Sequence, residues 1–331
     1  MNIQNRTLAA HPTAKDAPEH DSSRSRLESW ISSEAAQPVN ADVEVLTATL
    51  ARRAGIAAVV FYGSGLWGPA GADTLYDFYV LVERLRDWAP GRILAVAGRA
   101  LPPNVYYLEV KTGGTTLRCK YAVMRRSQFE AAARGEHFTP QIWARFCQPC
   151  RLLQIRDEAV RASLIRALAD AVVTFHRRTL PLVAGVSIRD FWVAGLGSTY
   201  GSEIRSEKAG RAARRVEAEL ATFTARTRLA LPLCGAGAAL TPEGNVTSDI
   251  SARERRRFRR RLALKRPWHK AVNFARLIKA GFTFQGGLDY ARWKIERHSG
   301  VAVRVTDFQR RHPVLTGLLS FWKIVRRGGL R

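Results

Sequence analysis

The chain has 331 residues, 46% of them hydrophobic, which allows two modest domains that each bury a core. Its formal charge is +25, and residues 251–331 hold 22 Lys+Arg against 4 Asp+Glu, so a polyanionic partner fits, nucleic acid and anionic lipid alike. Cysteines at 119, 147, 150 and 234 make neither a disulfide framework nor a zinc site, and no stretch reaches the roughly 20 apolar residues that span a bilayer; the expected setting is a reducing cytoplasm with at most peripheral membrane contact.

Residues 1–40 read as a disordered tail, because Asp16, Glu19 and Asp21 interrupt a segment with no apolar core. From about Asp42 the spacing of Val43, Leu46 and Leu50 predicts a short amphipathic helix that leads through Gly55 into a strand. That strand, Val59-Val60-Phe61-Tyr62, ends in Gly63-Ser64-Gly65, and after residues 65–76 a second strand opens at Asp77 and runs to Val82. Glycines after a strand let backbone N–H groups approach phosphate oxygens closely. The layout resembles the nucleotidyltransferase superfamily, although Tyr79 stands where its second carboxylate belongs.

Pro90-Gly91 and Pro102-Pro103 then bracket a helix over Ile93–Ala100. Asn104–Lys111 and Thr116–Met124 flank Gly113-Gly114, a two-residue type I′ turn in which both positions need positive φ. If Thr112 pairs with Thr115, Tyr106, Leu108 and Val110 share an apolar face with Leu117, Cys119 and Tyr121. Tyr107, Glu109, Lys111, Arg118 and Lys120 lie on the other face, with Glu109 diagonal to Lys120. Such a row reads either as one wall of a site facing Asp77 or as a solvated face of salt bridges.

Beyond Pro149, Val160, Leu164, Leu168, Val172 and Phe175 recur at helical spacing, with acids at the start and His176, Arg177 and Arg178 at the end. A second helical run is expected over Ser206–Arg228, and the polar insert before it, Phe191–Arg205, reads as a loop facing a site.

Taken together, these residues resemble the mitochondrial-type phosphatidate cytidylyltransferases, the CDP-diacylglycerol synthases of the nucleotidyltransferase superfamily. Tyr62-Gly63-Ser64-Gly65, Asp77-Phe78 and Lys120-Tyr121-Ala122-Val123 are similar to that family's motifs. Ala144-Arg145-Phe146 with Gln148-Pro149, Tyr200-Gly201-Ser202-Glu203-Ile204-Arg205, and Leu277–Gly287 continued by Tyr290–Lys294 follow in the family's order. Glu203 replaces the family's Asp, and the tail from Val301 has no counterpart. The resemblance implies transfer of a cytidylyl group from CTP to phosphatidate with Mg²⁺. It implies an α+β fold: a nucleotidyltransferase-type mixed sheet with flanking helices at 41–152, a winged-helix-like helical domain at 153–250, and a basic amphipathic membrane-binding region at 251–331.

The catalytic residues expected on this basis are Asp77, Glu109, Lys120, Arg205 and Glu203, with Asp77 and Glu109 as metal ligands and Asp73 a poorer candidate. Tyr62, Gly63, Ser64, Gly65, Lys120 and Tyr121 are expected to hold the nucleotide. Membrane binding falls to Lys279 and Arg292 and to a C-terminal amphipathic helix, in which Leu315, Leu318 and Trp322 make the apolar face and Lys323 and Arg326 the basic end. The expected place is the inner face of the cell membrane, with nucleic acid an improbable partner. Two alternatives stand beside this reading: a nucleotidyltransferase with another phosphate acceptor, and a degenerate scaffold of that type that binds nucleic acid.

Overall fold

The computed structural model describes residues 17–67, 74–88, 96, 98–137, 140–200 and 210–283. The architecture is α+β, with a mixed five-stranded sheet in the order β3-β4-β2-β1-β5 flanked by helices. Its strands are β1 (Ile56–Tyr62), β2 (Leu75–Val82), β3 (Asn104–Thr112), β4 (Thr115–Arg125) and β5 (Cys150–Leu153). The chain divides into two compact units, residues 39–125 with 274–331 and residues 126–273 with 1–38. The boundary expected at residue 152 therefore lies inside the second of these.

In the unit built on residues 39–125, the helix Ala41–Ala51 starts where the Asn40 side chain accepts from the Val43 amide at 3.0 Å, and it buries Val43, Leu46 and Leu50 as their spacing requires. β1 and β2 pair antiparallel, β2 and β4 pair parallel, and β3 and β4 form the hairpin. Thr112 pairs with Thr115 and the turn glycines have φ of 53° and 79°, so the register expected from Gly113-Gly114 is the one observed. One sheet face is apolar because alternate residues project to opposite sides: Phe61, Tyr76, Phe78, Val80, Cys119 and Val123 are buried there. Residues 96 and 98–100 are helical, matching part of the helix expected over Ile93–Ala100; the rest of it lies outside the described residues.

In the other unit the helix Glu158–Thr179 is central. Asp157 caps it through the Val160 amide at 2.8 Å, and Val160, Leu164, Leu168, Val172 and Phe175 are buried. Against it packs a helix over Ala17–Ala35, which corrects the expectation of a disordered 1–40 tail for those residues; residues 1–16 lie outside the described ones. Leu27, Ile31 and Ala35 make a buried stripe four residues apart, and Arg24 bonds Asp170 at 2.8 Å. Glu34 pairs with Arg226 at 2.5 Å, and Arg226 also donates to the Cys147 carbonyl at 2.9 Å. Phe175 stacks on Trp192 at 4.3 Å, and a side chain at Gly195 would fall 2.4 Å from the Phe175 ring, so this packing requires glycine. The expected Ser206–Arg228 run is two helices, Arg211–Ala218 and Leu220–Ala230, broken where Glu219 leaves helical geometry at φ −122°, ψ 26°. A small sheet of β6 (Val186–Ser187), β8 (Asn245–Thr247) and β7 (Ala239–Leu240) follows, and then the 32-residue helix Ala252–Thr283.

Candidate active site on the polar sheet face

Cross-strand neighbours share a face, so the register alone draws a row across four strands. Tyr62 on β1 stands opposite Asp77 on β2, Asp77 opposite Lys120 on β4, and Lys120 opposite Tyr107 on β3. The Lys120 ammonium lies 3.2 Å from Asp77 Oδ1, with side chains 37% and 21% exposed. That oxygen is shielded from solvent yet accepts no well-directed hydrogen bond, so the contact is an ion pair without the directional part. Tyr62 packs against Tyr79 at 5.3 Å on the same side.

The turn after β1 is pressed onto this carboxylate. Gly63 has φ 88° and ψ −159°, a conformation essentially restricted to glycine, and a Cβ there would sit 3.2 Å from Asp77 Oδ2. Gly65 lies as close to aromatic rings, since its Cβ would be 3.1 Å from Tyr76 and 3.2 Å from Phe61. The Leu66 and Trp67 amides close a single 3₁₀ turn onto the Gly63 and Ser64 carbonyls at 3.2 Å each. Ser64 is exposed beside Asp77's strand.

Glu109 is on the expected face but serves other partners. Its Oε1 accepts from the Tyr107 hydroxyl at 2.8 Å and from Arg118 Nε at 3.2 Å. In the sheet it is opposite Arg118, with β4 between it and Asp77. Two strand spacings and a two-residue offset separate the backbones by about 10 Å across and about 7 Å along. Asp77 and Glu109 are thus not assembled as a chelating pair. Among the described residues no group of three or more His, Cys, Asp or Glu side chains gathers to hold a metal. Asp77 is the carboxylate against the Gly63 turn, and Glu109 is not placed to share a metal ion with it.

Two further expectations are corrected. Tyr121 cannot face a nucleotide held by Lys120, because adjacent strand residues point to opposite sides. Its ring stacks on Tyr106 at 5.3 Å and meets Trp88 at 6.3 Å on the apolar face, where burial pushes the phenol up to about 12. Lys279 is not a surface anchor: it is buried, donating to the Leu101 carbonyl, to the Pro103 carbonyl at 2.8 Å and to Asn104 Oδ1 at 3.0 Å. Burial pulls its pKa down to about 8. Asp73, Glu203, Arg205, Arg292, Leu315, Leu318, Trp322, Lys323 and Arg326 lie outside the described residues.

Sequence reasoning did not single out Tyr107 and Arg118 as site residues, although period-two alternation put both beside Lys120. No protein-family model matches the chain, and no curated protein is detectably similar to it in sequence.

Proposed function

We propose that this chain is a nucleotidyltransferase that moves a cytidylyl group from CTP to phosphatidate at a membrane surface. The observation that carries the proposal is the Asp77–Lys120 pair, set against a glycine-only turn at Gly63. Antiparallel β1–β2, with β2 parallel to β4, supports a nucleotidyltransferase-type core, and the three-stranded sheet beside helices Ile188–Tyr200 and Leu220–Ala230 is compatible with a winged-helix-like unit. The identities of nucleotide and acceptor rest on the motif resemblance.

In the proposed reaction a phosphate oxygen of the acceptor attacks the α-phosphorus of CTP. One P–O bond forms, the bond to the β-phosphate bridge breaks, and pyrophosphate leaves with that electron pair. A phosphate monoester has its second pKa near about 6, so the nucleophile is already largely dianionic and requires no protein base. The obstacle is repulsion between polyanions. Asp77 would hold Mg²⁺, which when bound neutralises phosphate charge. Lys120 turns its ammonium from Asp77 toward the leaving phosphates, and Ser64 with the neighbouring amides orients the triphosphate.

No helix among the described residues is long and apolar enough to cross a membrane. The surface attachment is proposed for the basic region, whose described part exposes Arg253, Arg257, Arg260 and Arg261 beside Leu264 (80% exposed) and Trp268 (58%) on the helix Ala252–Thr283. Arg255, on the opposite side, is buried and bonded to the Ile250 and Leu180 carbonyls. Arginines next to exposed apolar side chains suit an anionic interface. The test is incubation of the purified chain with labelled CTP, Mg²⁺ and phosphatidate vesicles, with liposome flotation run beside duplex-DNA binding at equal ionic strength. Labelled lipid and flotation are expected. Tight DNA binding without either would favour the nucleic-acid reading.

A further inference from the structure

The helix Ala252–Thr283 begins by docking one side of its first turn. Arg255 donates to the Ile250 carbonyl at 3.1 Å and to the Leu180 carbonyl at 2.5 Å, which ties it to the C-terminal end of the helix Glu158–Thr179. At about 3.6 residues per turn, Arg261, Leu264, Lys265 and Trp268 follow one another at i, i+3, i+4 and i+7 and share a face turned away from Arg255. Lys265, about 80° round from Arg255, is the member nearest the docked side. Burial first, and then the charges of Arg178 and Arg261, pull its pKa down. Arg178 belongs to the last turn of Glu158–Thr179 and is half-buried, with its guanidinium beside Gly135, where a Cβ would lie 3.7 Å from Nη2. Burial lowers the Arg178 pKa with no carboxylate to oppose it. Glu136, next to that glycine, is bonded twice to Arg134, at 2.7 Å and 3.2 Å. Among the described residues, Arg178, Lys265 and Arg261 make no ion pair and no side-chain hydrogen bond.

We infer that Arg178, Lys265 and Arg261 form a site for one phosphate monoester headgroup of an anionic lipid, with Leu264 and Trp268 entering the bilayer beside it. The inference deepens the membrane attachment proposed above and rests on that reading. Cations gathered without counter-charge repel one another, and one that is half-buried also loses hydration, so the cluster is costly until an anion enters it. A helix C-terminus attracts a cation by about 0.3–1 kcal/mol, which accounts for Arg178 but not for Lys265 and Arg261 brought up beside it. A phosphate monoester carries a charge of about −1.5 to −2 and can occupy a guanidinium fork and an ammonium together, whereas a phosphodiester carries a single charge. Leu264, 80% exposed, and Trp268, 58% exposed, select a lipid over a soluble phosphate, because only a bilayer removes them from water.

The test is flotation of the full chain, without nucleotide, on neutral vesicles doped with phosphatidate or with phosphatidylglycerol at matched total charge. The native chain is expected to bind the phosphatidate vesicles about tenfold more tightly, and Arg178→Gln and Lys265→Gln should each remove most of that preference. Arg257→Gln takes an exposed charge from the same helix but from outside the cluster; it should weaken binding to both vesicle types equally, by about fivefold or less. Thermal melting checks that each variant is folded, and Lys265, which is exposed, carries the test if the Arg178 variant does not fold. Equal binding of both vesicle types by the native chain, or a preference kept in folded Lys265→Gln, would overturn the inference. So would binding of glycerol 3-phosphate in solution, measured by titration calorimetry, that is as tight as binding to vesicles. A preference that depends on Arg178, in a chain that transfers no cytidylyl group, would leave the lipid site standing and remove the proposed reaction. Turnover of soluble dihexanoyl phosphatidate by a chain with no vesicle preference would do the reverse.

Discussion

Lys120 on β4 and Asp77 on β2 meet at 3.2 Å because these two strands, which start 40 residues apart and form no local hairpin, pair parallel with the two residues in register. Neither side chain is deeply buried. The pair therefore contributes little to stability, about 1 kcal/mol at most.

Asp77→Asn preserves the shape of the side chain and removes its charge. Turnover of CTP with phosphatidate is expected to fall below detection while circular dichroism and melting temperature stay near wild type. A folded Asp77→Asn protein with unchanged turnover would remove Asp77 from the proposed site.

Gly63→Ala tests the turn. The backbone at φ 88°, ψ −159° is strained for any other residue, and the new methyl would press on Asp77 Oδ2. A stability loss of about 1–3 kcal/mol is expected from the strain. Activity should fall by more than about tenfold through displacement of the carboxylate. Urea titration and initial rates measure the two effects separately, and a fully active variant would contradict the close approach.

Tyr121 and Lys120 are sequence neighbours with opposite expectations. Tyr121→Phe leaves the apolar stack with Tyr106 and Trp88 in place and should keep near wild-type kinetics. Tyr121→Ala should cost about 3–5 kcal/mol in stability by opening a cavity. A selective loss of CTP affinity in the folded Phe variant would return Tyr121 to the nucleotide.

His176 makes stability depend on pH. It is fully buried, with its Nδ1 2.8 Å from the Val172 carbonyl, and burial drives its pKa from 6.5 down to about 4. Between those values the unfolded chain binds a proton that the folded chain does not. The contribution is therefore fully present above about pH 6.5 and is lost as pH falls toward 4, to a total of about 3 kcal/mol. Urea midpoints measured from pH 7 to pH 4 should decline accordingly. The slope should flatten in His176→Gln, and an unchanged slope there would show that other groups cause it.

What the sequence by itself determined was local. Gly113-Gly114 set the hairpin register, and alternation then assigned Glu109, Arg118 and Lys120 to one face and Tyr121 to the other. Val160 to Phe175 announced their helix because a stripe that long is periodic whatever it packs against. The tertiary structure decided everything that joins distant segments. Glu109 was legible as a neighbour of Lys120, but its distance from Asp77 depends on which strand lies between them, and strand order is not written in either strand. The stripe of Leu27, Ile31 and Ala35 is short and set in polar sequence, so it becomes a helix only against partners such as Asp170 and Arg226, more than a hundred residues away. Lys279 looks like a surface cation until the carbonyls of Leu101 and Pro103 enclose it. A side chain's periodicity reports which way it points, whereas its chemical role depends on what the fold brings to meet it.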